Sequence, residues 1–210
     1  MAGHRPRGAG RAGAGAADRF GRDLAALHAT GAPAFGAAPP GGPEDAYIGL
    51  APMRNAAGDD WPRWYASTGS CRICAERSTP APSGRPRRPT SNGSASGCPA
   101  WRGRRSRARL HGDLWSGNVL WGADGQVHLI DPAAHGGHRE TDLAMLRLFG
   151  CPHLDRILAA YDEAAPLAEG WADRVGVHQL FPLLVHAVLF GRGYAEQALA
   201  AARSALRRAP

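Results

Sequence analysis

The chain has 210 residues and a formal net charge of +7, and hydrophobic residues make up 44% of it. This length predicts one domain or one and a half, and the composition is sufficient for a packed core. All 25 basic residues are Arg, because the sequence contains no Lys. Mechanisms that need a side-chain amine from this chain, such as a Schiff base or a phosphate-binding Lys, are therefore excluded.

Sequence signals for membrane insertion or secretion are not found. The best apolar stretch, Leu180–Phe190, contains Pro182 and His186, and it is far shorter than the about 20 residues of a membrane span. Residues 1–17 are rich in Gly, Ala, Arg and Pro and lack the hydrophobic region of a signal peptide. We therefore expect residues 1–17 to be disordered, the protein to be cytoplasmic, and a membrane not to be among its partners.

The positive charge is concentrated in residues 67–107. This segment holds nine Arg and one acidic residue, Glu76, so its net charge is +8 and the rest of the chain carries −1 of the total of +7. Its one aliphatic residue larger than Ala is Ile73. A segment this poor in apolar side chains cannot offset the entropy cost of ordering, and we predict that it is disordered.

Three alternatives for residues 67–107 stay open. Clustered Arg neutralises nucleic-acid phosphates, but Trp101 is the one aromatic residue available for base stacking, so nucleic acid is not the favoured partner. Cys71 and Cys74 have the spacing of a zinc pair without a convincing second pair. The composition changes abruptly at both ends of the segment, which also fits an insert translated in the wrong reading frame.

The remaining sequence predicts an α+β fold that is mainly helical, with one short β-hairpin. Apolar residues at helical spacing predict helices at 18–29, 140–149, 154–165, 180–190 and 194–208. Asp18 is expected to cap the first of these helices and Gly150 to stop the second. Short strands are expected at 119–121 and 127–130, with Asp124-Gly125 as the hairpin turn between them.

The candidate chemistry lies in the stretch His111–Asn118 and in Asp131. Phosphoryl transfer needs a carboxylate beside the attacking hydroxyl and oxygen ligands that hold Mg²⁺ against nucleotide phosphates. An Asp, an Asn five residues later, a hairpin and a second Asp follow the spacing of a kinase catalytic loop. We therefore predict Asp113 as the catalytic base or hydroxyl-orienting group, and Asn118 and Asp131 as the ligands of Mg²⁺ and, through it, of ATP.

Neighbouring residues are predicted to have structural roles. Gly112 and Pro132 stand where protein kinases carry Arg and Phe, so we expect no activation-loop switch. His111 is expected to brace the loop rather than to transfer protons. Glu140 and Asp142 are expected to stabilise the loop and the start of the following helix. Surface or substrate contacts are favoured over a metal cluster for three further residues, His128, His135 and His138.

At these residues the sequence resembles the fructosamine kinases, also called ketosamine-3-kinases. The resemblance rests on His111–Asn118, Asp131-Pro132 and Gly137–Met145, and it extends over about 18–66 and 109–208. These kinases belong with aminoglycoside and choline phosphotransferases to the protein-kinase-like fold. The resemblance implies ATP-dependent phosphorylation of the sugar 3-hydroxyl of ketosamines, which are sugar adducts of amines and protein lysines, and a role in protein deglycation.

The resemblance also implies parts that this sequence does not supply. A kinase of this fold has an N-terminal lobe with a small sheet, a phosphate-binding Lys and a Glu that pairs with it. Residues 18–66 and 108–210 resemble the C-terminal lobe, so we expect the N-terminal lobe to be missing and apolar helix faces within 140–208 to be exposed. Three hypotheses stay open: a ketosamine kinase, a truncated and inactive C-lobe fragment, and an aminoglycoside- or choline-type phosphotransferase.

Overall fold

The structure of the chain is a computed structural model that describes residues 10–66 and 107–208. The predictions made for residues 1–9 and 67–106, namely disorder, a zinc pair and a nucleic-acid arm, lie outside these described residues. Across the two described ranges, none of the helices combines the length and the hydrophobicity that crossing a membrane requires.

Helices make up about half of the described residues, and the strands form small antiparallel sheets. The helices are α1 (Ala14–Ala29), α2 (Trp61–Trp64), α3 (Glu140–Phe149), α4 (Leu154–Ala164), α5 (Trp171–His178), α6 (Leu180–Phe190) and α7 (Arg192–Arg208). The strands pair as β1 (Asp45–Ile48) with β2 (Ala51–Arg54), β3 (Ala108–Leu110) with β6 (His135–Gly137), and β4 (Val119–Trp121) with β5 (Val127–Leu129). The prediction of a mainly helical α+β fold is therefore confirmed for the described residues.

Helix α1 begins at Ala14 rather than at the predicted cap, Asp18. Gly13 occupies the N-cap position, and the Asp18 carboxylate instead accepts hydrogen bonds from Arg156 of α4 at 2.5 and 3.0 Å. Residues 14–17 are thus helical, in contrast to the disorder expected for 1–17. Alanine has the highest helix propensity, and Ala17 is fully buried against the core.

Most elements around the candidate site form where the sequence predicts them. Helix α3 ends at Gly150, whose φ of 74° suits a residue without a side chain. The hairpin of β4 and β5 turns at Asp124-Gly125, and Gly125 has a φ of 75°. Helix α6 has the predicted bounds, and the Phe190 side chain at its end is 66% exposed.

The sequence patterns missed the shortest elements. Helix α5 and the two small sheets β1–β2 and β3–β6 were not predicted, since segments of three to eight residues carry too few apolar positions for a clear period. The β3–β6 pairing matters for the site, because β3 leads directly into the predicted catalytic loop. Its register places Leu110 opposite His135.

The described residues form two hydrophobic clusters. One joins α1 to α4 and α3, and it includes Phe20, Leu24, Ile157 and Tyr161. The other joins α2 to α6, and its aromatic members include Phe35, Trp61, Trp64, Tyr65 and Phe181. The hydroxyl of Tyr65 donates to the Val177 carbonyl at 2.7 Å, which fixes α2 against α5. Leu114 of the loop after β3 belongs to the first cluster, and Ala133, against which Gly112 of that loop lies, belongs to the second.

We expect Gly21→Ala to destabilise the protein, because a Cβ at Gly21 would lie 2.9 Å from the Ala160 Cβ and closer still to the α4 backbone. Overpacking of this kind costs about 1–3 kcal/mol. Gly15→Ala is the matched control, since Gly15 is exposed on the same helix and only the Arg19 side chain is near its Cβ position. It should stabilise the protein by about 0.5–1 kcal/mol. Urea denaturation measures the free energy of unfolding of both variants. If Gly21→Ala stabilised the protein as much as Gly15→Ala, the close α1–α4 contact would be contradicted.

Candidate functional site

The predicted catalytic loop, His111–Asn118, follows β3 and ends in a 3₁₀ turn at Ser116–Asn118. Gly112 has a φ of 84°, and a Cβ there would overlap the backbone carbonyl of Ala133. Only glycine permits this close approach of two backbone segments. The loop therefore lies in close contact with the segment that follows Asp131.

Asp113 and Asn118 are in direct contact. The Asn118 side-chain amide donates to the Asp113 backbone carbonyl at 2.8 Å and to its carboxylate Oδ2 at 3.2 Å. Burial raises the pKa of Asp113 above its ordinary value, although the neighbouring His111, the Asn118 bond and His186 counteract part of this effect. A carboxylate that is partly desolvated and held by an amide is suited to accept or orient a hydroxyl proton.

Strand β5 brings Asp131 to the same loop. The Ile130 N–H donates to the Asn118 carbonyl at 3.1 Å, and the Ile130 carbonyl accepts from His111 Nε2 at 3.0 Å. Asp131 follows directly, is exposed, and has a φ of 50°, a left-handed conformation that Asp adopts more readily than most residues. Asp113 and Asn118 are thus in contact. Asp131 directly follows Ile130, whose N–H is bonded to Asn118.

His111 has the bracing role that the sequence analysis assigned to it. Its Nε2 donates to Ile130, and its Nδ1 accepts the Asp113 N–H at 3.3 Å. Both ring nitrogens are therefore engaged by the backbone, and the imidazole is 4% exposed. The ring therefore joins the loop to the end of β5.

The backbone of the loop is held by Asp142, in the first turn of α3. One carboxylate oxygen accepts the His111 N–H at 2.8 Å, and the other accepts the Gly112 N–H at 3.0 Å. Asp142 is 1% exposed. Burial alone would raise the pKa of Asp142. The hydrogen bond and charge of His28, the nearby His111 and the bond from the Gly112 N–H outweigh burial, so the pKa of Asp142 is lowered below its ordinary value. The carboxylate is thus a charged anchor.

His28 connects this anchor to α1 and α4. Its Nε2 lies 3.1 Å from the Asp142 carboxylate, and its Nδ1 lies 2.7 Å from the Tyr161 hydroxyl. Since a carboxylate only accepts, Nε2 donates to Asp142, and the Nδ1–Tyr161 hydrogen bond links the ring to α4. Sequence reasoning anticipated Asp142 but missed His28 and Tyr161, because neither has a local spacing that relates it to the loop.

The described residues include one group of His and acidic side chains whose ligand atoms all lie within 4.8 Å of one another: His138, Glu140 and His178. The Glu140 carboxylate also accepts hydrogen bonds from the Arg174 guanidinium at 2.6 and 2.9 Å. Its charge is therefore already balanced by Arg174, and we interpret the group as a buried ionic network that ties α3 to α5. Burial alone would raise the pKa of Glu140, but His178 and Arg174 lower it to about 2.

His128 and His135, which were grouped with His138 in the sequence analysis, have different surroundings in the structure. His128 is exposed on β5, where its Nε2 lies 3.7 Å from the Asp124 carboxylate. His135 is buried on β6, and its Nδ1 donates to the Ala133 carbonyl at 2.8 Å. Of the two alternatives expected for these histidines, a surface position is thus wrong for His135, because β6 pairs with β3 in the interior, whereas substrate contact stays a prediction.

Comparisons with known proteins agree with this geometry. The family profile described as fructosamine kinase matches residues 9–208. A protein of Synechocystis named a probable ketoamine kinase is 33% identical over 195 residues, which cover 90% of this chain and 62% of that protein. Another of the same name, from Enterococcus faecium, is 47% identical over 88 residues, covering 42% of this chain and 31% of its own length. The chain therefore spans less than two thirds of these relatives.

A solved structure has the same fold. The crystal structure of a fructosamine-3-kinase candidate from Thermobifida fusca is 44% identical and superposes with a TM-score of 0.73. The superposition covers 95% of this chain and 67% of that one. The arrangement of the described elements is thus that of a known kinase-like structure.

We expect Asp142→Asn to destabilise the fold by about 3–5 kcal/mol, because it removes a buried charge that holds two loop amides and His28. Asp23→Asn, an exposed substitution on α1, is the matched control and should change stability by less than about 0.5 kcal/mol. Urea denaturation at neutral pH measures the difference. Similar midpoints for the two variants would show that Asp142 is not the anchor of the loop.

The lowered pKa of Glu140 predicts a stability change in acid. The folded protein holds this carboxylate ionised down to about pH 2, whereas the unfolded chain protonates near the ordinary pKa of 4.5. The stabilisation is complete above that range and is lost as the pH falls from 4.5 toward 2. The stability gap between the wild type and Glu140→Gln should therefore shrink on acidification. Glu163→Gln, which alters an exposed α4 residue, should show no such trend.

Proposed function

Because the chain belongs to the fructosamine kinase family, we propose that it carries the catalytic loop of an ATP-dependent kinase that phosphorylates the sugar 3-hydroxyl of ketosamines. The observation that carries this proposal is the contact between Asp113 and Asn118 in a loop whose backbone is fixed by Asp142. Ketosamines on protein lysines are included among the acceptors, and the role is then protein deglycation in the cytoplasm.

Asp113 is the residue proposed to act on the acceptor. Its carboxylate orients the attacking hydroxyl and takes its proton as the new oxygen–phosphorus bond forms and ADP departs. The partial burial of Asp113 raises its affinity for that proton. The Asn118 amide keeps the carboxylate oriented, and His111 keeps the loop against β5.

Asn118 and Asp131 are proposed to hold Mg²⁺. An amide oxygen and a carboxylate are the hard oxygen donors that this ion prefers, and Asn118 uses its nitrogen, not its oxygen, to bind Asp113. When bound, the ion neutralises charge on the phosphates of ATP. The exposure of Asp131 leaves its carboxylate accessible to such a ligand.

A non-catalytic role is the second candidate, and one observation favours it. The sequence contains no Lys, so this chain cannot supply the phosphate-binding lysine that kinases use. Under this hypothesis, Asp113 and Asn118 are retained for folding and the purified chain has no turnover. Measured phosphorylation of a ketosamine by the purified chain would exclude it.

We expect Asp113→Asn to lower the rate of ketosamine phosphorylation by about 10²–10⁴-fold, because a positioned base contributes that much. The substitution keeps the shape of the side chain and removes its charge. Asp124→Asn is the matched control, since Asp124 lies in the exposed hairpin turn, and it should leave the rate unchanged. The measurement is transfer of labelled phosphate from ATP to a fructosyl amine, with an aminoglycoside and choline as alternative acceptors.

A binding measurement separates loss of chemistry from loss of the site. Mn²⁺ in place of Mg²⁺ should broaden the NMR signals of residues near Asn118 and Asp131, and Asp131→Asn should remove the effect. Preferential transfer to an aminoglycoside or to choline would overturn the assignment of ketosamines. Undiminished transfer in Asp113→Asn would overturn the role of Asp113.

A further inference from the structure

We propose that Tyr161 and Arg139 form a positioning pair that controls the orientation of Asp113. This inference rests on the proposed function and extends it, because it gives two side chains outside the predicted loop an effect on the rate of the transfer step. The Tyr161 side chain is fully buried. The pair therefore acts through other residues, namely His28 and Asp142, and not by touching a substrate.

The Tyr161 hydroxyl sets the orientation of the His28 ring. Its oxygen lies 2.7 Å from His28 Nδ1, and the two rings meet edge to face at 5.5 Å between centroids. The other ring nitrogen bonds the Asp142 carboxylate at 3.1 Å. With a partner on each nitrogen, the imidazole has one orientation. Loss of the Tyr161 hydroxyl would therefore free the ring to turn and would weaken its bond to Asp142.

Arg139 in turn fixes the Tyr161 ring. Its guanidinium carbon lies over that ring, 5.8 Å from the centroid, and an aromatic face attracts a cation. The same guanidinium donates to the Ala165 carbonyl at 3.0 Å and to the Pro166 carbonyl. These carbonyls follow the last turn of α4, which is the negative end of the helix dipole. Arg139 therefore holds both the phenol and the end of α4.

These contacts form a closed circuit. Arg139 directly precedes α3, and Asp142 lies in the first turn of the same helix. From Asp142 the circuit passes through His28 of α1 and Tyr161 of α4, and it returns to Arg139. Movement of any one of these three helices breaks a contact in the circuit. The position of the loop anchor therefore depends on the pair.

The Tyr161 hydroxyl keeps its proton throughout the neutral pH range. Burial raises the pKa of Tyr161 to about 12, although the charge and hydrogen bond of Arg139 counteract part of this effect. A protonated phenol both donates and accepts, so it bonds His28 Nδ1 whether or not that nitrogen carries a proton. The contribution of the pair is therefore geometric.

The first test compares Tyr161→Phe with Tyr65→Phe in the full chain. Tyr65 is the matched control, because it is also buried and its hydroxyl donates to a backbone carbonyl at 2.7 Å outside the circuit. We expect Tyr161→Phe to lower kcat for ketosamine phosphorylation about three- to tenfold, the equivalent of one hydrogen bond, with KM unchanged. Tyr65→Phe should lower stability by a similar amount and leave kcat unchanged.

Amide hydrogen exchange gives a readout that does not require turnover. The N–H groups of His111 and Gly112 bond the Asp142 carboxylate. In Tyr161→Phe these two amides should exchange about three- to tenfold faster than in the wild type, because the anchor is held by one hydrogen bond fewer. In Tyr65→Phe they should exchange at the wild-type rate.

A second pair of variants tests Arg139. Arg139→Gln removes the charge over the Tyr161 ring, and we expect exchange of the two loop amides to rise about two- to fivefold, the range of a cation–aromatic contact. Arg147→Gln is the control, because Arg147 is on α3 and its guanidinium lies over the Trp171 ring at 5.1 Å, outside the circuit. It should leave both amides unchanged.

The outcomes separate this inference from the proposed function. Unchanged kcat and unchanged exchange in Tyr161→Phe would overturn the positioning pair and leave the kinase assignment in place. Equal losses in Tyr161→Phe and Tyr65→Phe would also overturn it, since they would reflect lower stability alone. A wild-type chain without turnover would overturn the proposed function. Exchange of the two loop amides would then decide on the pair, with faster exchange in Tyr161→Phe supporting it and the wild-type rate overturning it.

Discussion

The carboxylate of Asp142 accepts two backbone N–H groups from the predicted catalytic loop, and the position of Asp113 depends on these bonds. Buried amides and a buried carboxylate each carry a large cost when unpaired, so they constrain one another to a single geometry. His28 and Tyr161 extend this constraint to α1 and α4. The packing of two helices remote from the proposed chemistry therefore fixes the loop.

A second buried acid lies in the same turn of α3. Glu140 pairs with Arg174 of α5, so the N-terminal turn of α3 holds two ionised carboxylates that reach different neighbours. The positive end of the helix dipole favours both charges. Because Asp142 holds the loop and Glu140 holds α5, movement of α3 would disturb both. The helix thus couples the loop to the C-terminal helices through charge as well as apolar contact.

The sequence predicts the parts of the site whose spacing is local. Asp113, Asn118 and the hairpin before Asp131 are recognisable because the proposed chemistry requires them within one short stretch. His28 and Tyr161 are 114 and 133 residues from the side chains to which they bond, and such pairings leave no periodic signal. Helix α5 is missed for a similar reason, since its buried residues, Arg174 and His178, are polar and are paired by tertiary contacts.

Successive side chains of the loop face different surroundings. Leu114 is buried in the cluster that includes α1 and α4, and this fixes Asp113 on one side and Trp115 on the other. The glycine at position 117 accommodates the indole, and Asn118 then turns back to bind Asp113. The order of residues in the loop therefore specifies both the proposed base and the surface beside it.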